Sequence, residues 1–205
     1  MEEVLDLYAR PFNPKEPVVG FDETSKQLVQ ETRVPRAAAP GEPARFDDEY
    51  RRNGVANLFV WFQPLAGRRH LTVTEQRTKR EVAHQMKEMV DVHFALAEKI
   101  HVVLDNRNTH TPAALYETFP PAEAKRIVDR LVFHYTPKHA SWLNVAELEL
   151  AALTRQCLSR RIPDRETLSR EIAAWEEPRN EQRTMAWWRF TVADARTKLH
   201  RLYPS

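Results

Sequence analysis

The chain has 205 residues, of which 42% are hydrophobic and 29% charged, a balance typical of a globular protein rather than a disordered one. A chain of this length buries roughly 70% of its unfolded surface, so one domain with a full core is expected. Its sequence has no apolar run of bilayer length, its acidic N-terminus does not resemble a signal peptide, and its single Cys157 excludes an internal disulfide. We therefore expect a cytoplasmic protein with no membrane partner. Because 31 Lys and Arg residues face 29 acids, the net charge of +2 does not by itself indicate a polyanion partner.

The first half of the chain predicts three strands and an irregular arm. Residues 18–30 begin with β-branched and aromatic residues and continue with alternation, which predicts a first strand. Residues 31–54 contain three prolines and two glycines that oppose regular pairing, so they predict an arm with room for one hairpin. Residues 57–62 and 69–74 are rich in β-formers and are separated by a turn, which predicts a hairpin.

The second half alternates helices and strands. The short apolar run HVVLD at 101–105 predicts a buried strand that ends at Asp105. The other predicted elements are helices over Lys79–Glu98, 111–130 (broken at Pro120 and Pro121), 142–160, 165–175 and 191–202, and a strand over 131–137.

This order of elements predicts an α/β fold, a ribonuclease H-like mixed five-stranded sheet flanked by helices. In such a sheet the first and fourth strands are neighbours, which would place Asp22 beside Asp105. We expect a lead-in segment over 1–17, one main domain over 18–180 with its arm at 31–54, and a C-terminal helical extension over 181–205 packed on that domain.

Three carboxylates occupy positions suited to chemistry, and each has an alternative. Asp22 follows VVGF, where it could instead close a turn, and Glu23 competes with it for the same role. Asp105 lies at the carboxyl end of a predicted strand, where open α/β sheets bind ligands, although an Asx turn is the alternative. Glu147 and Glu149 lie at opposite rims of one helical apolar stripe, and periodicity alone does not choose between them.

Four sequence blocks resemble the DDE transposases of bacterial insertion sequences in the mariner superfamily. They are FDE at 21–23, LDNRNTHTP at 104–112, HYTPKHASWLNVAE at 134–147 and WRFTVADARTKL at 188–199. The resemblance implies that Asp22, Asp105 and Glu147 are the catalytic triad and the metal ligands of a DDE catalytic domain over 18–180. It also implies two Mg²⁺ ions, replaceable by Mn²⁺, that support in-line phosphoryl transfer.

The same resemblance implies what the chain acts on. Its substrates would be transposon-end DNA, which is cleaved, and target DNA, which the freed 3′-hydroxyl attacks, typically at TA. A homodimer on paired ends, working at the bacterial nucleoid, is the implied assembly.

A second group of residues flanks the triad and is expected to orient the carboxylates or to contact DNA. Ser141 is available to cap the helix predicted from Trp142, and Trp142 is expected to pack in the core rather than stack on a base. Zinc is not favoured for the histidines, because Cys pairs are lacking and the His spacings differ from those of structural sites. The group comprises Glu23, Asn106, Asn108, His110, His139, Ser141, Trp142 and Asn144.

The arm at 31–54 is the predicted contact surface for DNA or a partner subunit, through Arg33, Arg36, Arg45, Arg51 and Arg52. Relatives carry helix-turn-helix modules before the catalytic domain, whereas this chain starts shortly before Asp22. A separate helix-turn-helix chain is therefore a candidate partner. The alternative function is a degenerate or domesticated fragment that binds DNA or dimerises without catalysis, but the presence of all three carboxylates favours the enzyme.

Overall fold

The computed structural model describes residues 1–45, 47–138 and 140–202, and within them five strands form one mixed sheet. The strands are β1 (Val18–Glu31), β2 (Tyr50–Gln63), β3 (Arg68–Thr74), β4 (Ile100–Leu104) and β5 (Leu131–Tyr135). Their order across the sheet is β3-β2-β1-β4-β5. The hairpins β1–β2 and β2–β3 are antiparallel, whereas β4 runs parallel to both β1 and β5. The predicted mixed five-stranded sheet flanked by helices is confirmed.

Seven α-helices surround this sheet in the described residues: α1 (Glu2–Tyr8), α2 (Lys79–Glu88), α3 (Ala113–Thr118), α4 (Pro121–Val128), α5 (Ala146–Leu153), α6 (Arg165–Glu181) and α7 (Val192–Lys198). Single π turns continue α2 over Met89–His93 and α5 over Thr154–Leu158, and 3₁₀ turns cover Ser141–Leu143 and His200–Leu202. No helix in these ranges is both long and apolar enough to span a membrane.

Alternation along the strands sends neighbouring side chains to opposite faces of the sheet. Phe21 and Trp61 point to one face, where they pack in a core that also contains Met86 of α2. Val60 and Leu71 point to the other face, into a core shared with α5 and α6. The sheet is therefore packed on both faces, and it carries Asp22 between these two cores.

The N-terminal lead-in begins with a helix, because residues 2–8 form α1. Val4, Leu5 and Leu7 are buried in a third core together with Leu143 and Ala195 of α7. A helix of seven residues is too short to be stable in water by itself, so this packing maintains it.

The predicted arm at 31–54 was too long at both ends. Glu31 pairs with Tyr50, so β1 extends one residue further and residues 50–54 belong to β2. The register of the two strands shifts between Gln27 and Val29, which marks a bulge. Gly54 lies opposite this shift, and its φ of 92° suits a bulge. Within the predicted arm, the described residues that leave the sheet are 32–45 and 47–49, and bridges from Arg36 to Arg45 and from Ala39 to Glu42 give the first of these ranges a hairpin-like form.

Three helix predictions were wrong at one end. The helix predicted over 165–175 continues to Glu181 as α6. The helix predicted to reach Glu98 begins at Lys79, after a capping box formed by Thr78 and Glu81, but its π turn ends at His93. The helix predicted from Trp142 begins only at Ala146, because Asn144 has an extended backbone (φ −79°, ψ 108°) between the 3₁₀ turn and α5. Ser141 makes no capping hydrogen bond in that 3₁₀ turn.

Candidate active site

Asp22 and Asp105 lie side by side at one end of two parallel strands. Gly20 of β1 pairs with Val103 of β4, and continuing this register by two residues brings Asp22 level with Asp105. Asp22 is still within β1, whereas Asp105 directly follows β4. Since Phe21 enters the core on the α2 face, alternation directs Asp22 to the opposite face, where α5 packs.

Asn144 ties the start of α5 to β1 and so positions Glu147 in the first turn of that helix. Its side-chain amide donates a hydrogen bond to the Phe21 carbonyl at 2.8 Å, and its side-chain oxygen accepts one from the Ala146 amide at 3.1 Å. Asn144 is buried, which favours an orienting role over the predicted alternative of DNA contact. Its hydrogen bonds instead explain why an asparagine precedes the glutamate by three residues.

Gly20 permits this close approach of helix and strand. A Cβ atom at Gly20 would lie 2.6 Å from Val145 Cγ1 and 2.8 Å from the Ala146 nitrogen, which is too close for either atom to remain in place. Gly20 is therefore required where the backbone of β1 meets the first turn of α5.

Tyr8 of α1 makes a second tie to the same segment. Its hydroxyl donates to the Leu143 carbonyl at 2.9 Å and accepts from the Val145 amide at 3.1 Å. Burial raises the pKa of Tyr8, so the hydroxyl keeps the proton that it donates. No local pattern in the sequence predicts this role, because the paired residues are more than a hundred positions apart.

The pKa of Asp22 responds to its burial and to the acidic side chains around it. Burial raises the pKa of Asp22 to about 7, and the negative charges of Glu23, Asp105 and Glu147 act in the same direction. The Glu23 amide, which donates to Asp22 Oδ1 at 2.8 Å, opposes the shift. Asp22 is thus about half ionised at pH 7, and positive charge nearby would favour its ionised form.

Glu23 is part of a different arrangement, a network of two acids and two bases. His110 is buried between them, with Nε2 2.8 Å from Glu23 Oε2 and Nδ1 2.6 Å from Asp105 Oδ1. Arg107 lies with its Nε 2.7 Å from Asp105 Oδ2 and also pairs with Glu23. Sequence reasoning missed Arg107, although it lies within the same LDNRNTH block.

This network fixes the protonation of its members. Burial opposes a charge on His110, yet hydrogen bonds to Asp105 and Glu23 raise its pKa to about 9. Burial would raise the pKa values of Glu23 and Asp105, but His110 and Arg107 lower both. Glu23 and Asp105 are therefore charged and neutralised by protein groups, whereas Asp22 makes no ion pair in the part of the chain that the structure describes and feels the charge of Arg107 only at longer range.

The donor set fits hard divalent cations. Asp22, Asp105 and Glu147 offer only carboxylate oxygens, the ligand type that Mg²⁺ and Mn²⁺ prefer. Burial first, and then the negative charges of its acidic neighbours, raise the pKa of Asp22, and a bound cation would oppose both effects. These three residues could hold metal.

Other predicted residues occupy varied positions. Asn106 and Asn108 are exposed just beyond Asp105, and Ser141 is exposed at the start of its 3₁₀ turn. Trp142 was predicted to be in the core but is 40% exposed; it stacks on Trp188 with ring centroids 6.1 Å apart, since the extended backbone at Asn144 leaves it outside the helix. His139 lies outside the described residues.

Glu149, the alternative to Glu147, is committed to structure. It is buried, with Oε2 3.0 Å from Arg69 Nε and Oε1 3.2 Å from a guanidinium nitrogen of Arg179. Glu147 is only half-buried and points to the same cluster as Asp22. Among the described residues, α5 therefore offers Glu147, not Glu149, to the site.

The arginines of the arm are all exposed, and they lie between Asp22 and Asp105 in the sequence. Two make surface ion pairs, Arg33 with Asp47 at 3.2 Å and Arg36 with Glu42 at 3.7 Å, and Arg52 lies over the Tyr50 ring. Exposed pairs of this kind are weak and can be exchanged for phosphate contacts. The five arginines are Arg33, Arg36, Arg45, Arg51 and Arg52.

One family model and several solved structures match this chain. The family model described as DDE superfamily endonuclease matches residues 17–169. No curated protein matches the chain. Among solved structures, the mariner Mos1 paired-end complex with Mg is similar with a TM-score of 0.60 and 17% identity, over 91% of this chain and 54% of that chain.

Two further structures share the fold. The Mos1 strand transfer complex has a TM-score of 0.57 and 17% identity, over 86% of this chain and 51% of that chain. The catalytic domain of Mos1 mariner transposase has a TM-score of 0.54 and 13% identity, over 89% and 87%. This chain thus spans about half the length of the chains in the Mos1 complexes.

Proposed function

The chain belongs to the DDE superfamily endonuclease family, and from that premise we propose that it is a transposase catalytic domain that cleaves DNA and transfers the cut strand. The observation that carries the proposal is that the strand register brings Asp22 level with Asp105, while the charge of Glu147 on α5 acts on Asp22 as well. The insertion-sequence motifs of its sequence support an origin in a bacterial mobile element, acting in the cytoplasm at the nucleoid.

Asp22, Asp105 and Glu147 would hold two Mg²⁺ ions, or Mn²⁺ in their place. When bound, such ions activate the attacking oxygen and stabilise the leaving oxygen of an in-line phosphoryl displacement. A Mos1 complex of the same fold is described with Mg, which supports the choice of ion.

The chain's own residues set the conditions for this chemistry. Burial raises the pKa of Asp22, so its carboxyl is protonated more readily than usual. A cation bound nearby would favour the ionised carboxylate, so cation binding and ionisation of Asp22 are coupled. His110 keeps Asp105 ionised and in a fixed orientation through its 2.6 Å contact. Asn144 and Gly20 hold the start of α5 against β1, which determines the reach of Glu147.

Arg107 has the position of a counter-charge. Its side chain is 45% exposed, yet it pairs with both Asp105 and Glu23. We infer that it neutralises Asp105 before cations bind and contacts the DNA phosphate afterwards, a role that suits a guanidinium. Asn106 and Asn108 flank it on the exposed surface and are expected to contact the same strand.

DNA is the proposed substrate, both as transposon ends and as target, and the arginines of the arm are proposed to bind its backbone. A homodimer on paired ends and a helix-turn-helix module on a separate chain complete the proposal. Mos1 structures of the same fold are described as paired-end and strand-transfer complexes, which supports the paired-end part of this proposal.

The test uses supercoiled plasmid, because nicking requires no knowledge of the end sequence. We expect nicking in Mg²⁺ or Mn²⁺ that a chelator abolishes, and joining of an oligonucleotide 3′-hydroxyl to the plasmid. Asp105→Asn and Glu147→Gln should lose both activities. The control Glu117→Gln changes an exposed carboxylate paired with Lys79 and should retain them.

Two outcomes would contradict the proposal. Absence of nicking and joining by the wild-type chain would instead support a fragment that binds DNA without chemistry. Undiminished nicking by Asp105→Asn would show that the activity does not come from this triad.

A further inference from the structure

Two histidines and a glutamate converge at the β3 edge of the sheet. Glu88 Oε1 lies 3.5 Å from His70 Nε2 and 3.4 Å from His93 Nε2, and the three atoms all lie within 4.8 Å of one another. All three side chains are partly buried. Nothing in the proposed phosphoryl-transfer chemistry uses them.

The local structure explains why residues distant in sequence meet here. Glu88 ends α2, and His93 ends the π turn that follows, closed by a hydrogen bond from the Phe94 amide to the Met89 carbonyl at 2.9 Å. In a regular α-helix, side chains five residues apart diverge by about 140°. The wider π turn reduces this divergence, and such turns frequently mark functional sites.

The cluster is separate from the triad. His70 pairs with Trp61, which in turn pairs with Phe21, so His70 belongs to the sheet face opposite that of Asp22. It also lies on an edge strand, two strands away from β1. Loss of one site therefore need not disturb the other.

A carboxylate behind His70 prepares it as a ligand. Its Nδ1 lies 3.2 Å from Glu176 Oε1, and the other oxygen of Glu176 accepts from the Leu71 amide at 3.2 Å. A proton held on Nδ1 by this contact leaves the Nε2 lone pair directed away from Glu176. Histidines that bind metal almost always have such a partner.

The environment of His93 is a second, independent sign of a metal site. Its Nε2 is buried without a hydrogen bond of normal geometry in the described part of the chain, and its contact to Glu88 is long at 3.4 Å. A buried imidazole nitrogen that lacks a hydrogen-bond partner is suited to bind a cation.

We propose that His70, Glu88 and His93 bind one Zn²⁺ ion, with Glu176 as a positioning residue. Two imidazole nitrogens and one carboxylate oxygen form a ligand set typical of zinc, with water in the fourth position. Zn–N and Zn–O bonds of about 2.0–2.1 Å in a tetrahedral site place donor atoms about 3.3–3.4 Å apart. The distances of 3.4 and 3.5 Å from Glu88 to the two histidines already match that spacing.

The site also has an entrance and a structural consequence. An open cleft of about 570 Å³ between β3 and α6 is lined by His70, Glu88 and Glu176, so an ion can enter from solvent. A bound ion would join β3 to the end of α2. We therefore expect zinc to raise the melting temperature of the folded chain.

The proposal is tested on the whole chain, stripped with a chelator and then titrated with ZnCl₂ in excess Mg²⁺, which occupies the carboxylate triad. We expect one bound Zn²⁺ per chain after desalting, a rise in melting temperature, and a tetrahedral visible spectrum when Co²⁺ replaces Zn²⁺. His93→Gln and Glu88→Gln should each lower zinc affinity at least tenfold, and Glu176→Gln about 10–100-fold.

Matched controls make the result decisive. His84→Gln removes an exposed histidine of the same helix, and Asp105→Asn disables the triad; both should bind zinc like the wild type. Glu88→Gln preserves the size of a half-exposed side chain, and circular dichroism in chelator verifies its folding. A wild-type chain without stoichiometric zinc would overturn the proposal. Unchanged affinity in both His93→Gln and Glu88→Gln, or loss of zinc in Asp105→Asn, would also overturn it.

Discussion

Substituting Gly20 by alanine tests how the fold positions Glu147. The added Cβ would lie 2.6 Å from Val145 Cγ1 and 2.8 Å from the Ala146 nitrogen, about 0.6–0.8 Å short of the 3.4 Å at which ordinary contact begins. The Val145 side chain can rotate, but the Ala146 nitrogen is backbone. Relief therefore requires the first turn of α5 to retreat from β1 and to carry Glu147 with it.

The expected magnitudes follow from this displacement. Overpacking of this kind costs about 1–3 kcal/mol, which lowers the melting temperature by about 2–12 °C in a chain of this size. Misplacing a catalytic group by about 1 Å can cost about 100-fold in rate. We therefore expect Gly20→Ala to nick plasmid DNA about 100-fold more slowly while remaining folded at the assay temperature.

The assay is single-turnover nicking in Mn²⁺, well below the melting transition of every variant. Ile127→Ala is the stability control, because it empties a buried position of α4 on the other face at a cost of about 2–5 kcal/mol. It should nick at the wild-type rate. Adding Val145→Ala to Gly20→Ala removes one of the two clashes and should restore part of the rate.

Wild-type nicking by Gly20→Ala would refute this reasoning, since Glu147 would then reach the site without the close approach of α5. Equal slowing in Ile127→Ala would also refute it, because the rate would then follow stability rather than geometry.

Three further predictions concern charge. Because the folded chain raises the pKa of Asp22 to about 7, nicking at subsaturating Mn²⁺ should fall about tenfold per pH unit below pH 7, and a flat profile from pH 5.5 to 8 would contradict this. Because the folded chain raises the pKa of His110 to about 9, the protonated imidazole stabilises the fold fully below pH 6.5, and this stabilisation is lost as the pH rises through about 9. The loss of melting temperature caused by His110→Gln should therefore shrink between pH 6.5 and 9. A loss that is the same at every pH would count against this reasoning. Glu149→Gln removes the carboxylate that pairs with buried Arg69 and should lower the free energy of unfolding in urea by about 3–5 kcal/mol. Glu147→Gln should instead abolish nicking at near wild-type stability. The reverse pattern would exchange the roles of the two glutamates.

The sequence supplied the pairing of Asp22 with Asp105, because strand order and a short apolar run that ends in a carboxylate are local signals. It did not choose Glu147 over Glu149, since both lie at the rim of one helical stripe. That choice needed the family resemblance at the sequence level. The buried ion pair of Glu149 with Arg69 joins α5 to the edge strand β3, and no local pattern reports such a contact.

Other features were beyond sequence reasoning for a similar physical reason. The tie from Tyr8 to Leu143 spans 135 positions, and α1 is too short to display a clear period. The cluster of His70 and His93 depends on a π turn, which has no recognisable residue pattern and changes which side chains share a face. The extended pairing of β1 with β2 was hidden by the prolines of the arm, which lie just beyond Glu31.

The most direct test of the central claim counts the ions that the triad binds. Electron paramagnetic resonance of free Mn²⁺ gives this count, with His93→Gln as the background so that the second cluster does not contribute. We predict two bound Mn²⁺ ions per chain, loss of this binding on adding Asp22→Asn, and no loss on adding Glu117→Gln. Mn²⁺ binding that persists undiminished in the Asp22→Asn variant would contradict the account.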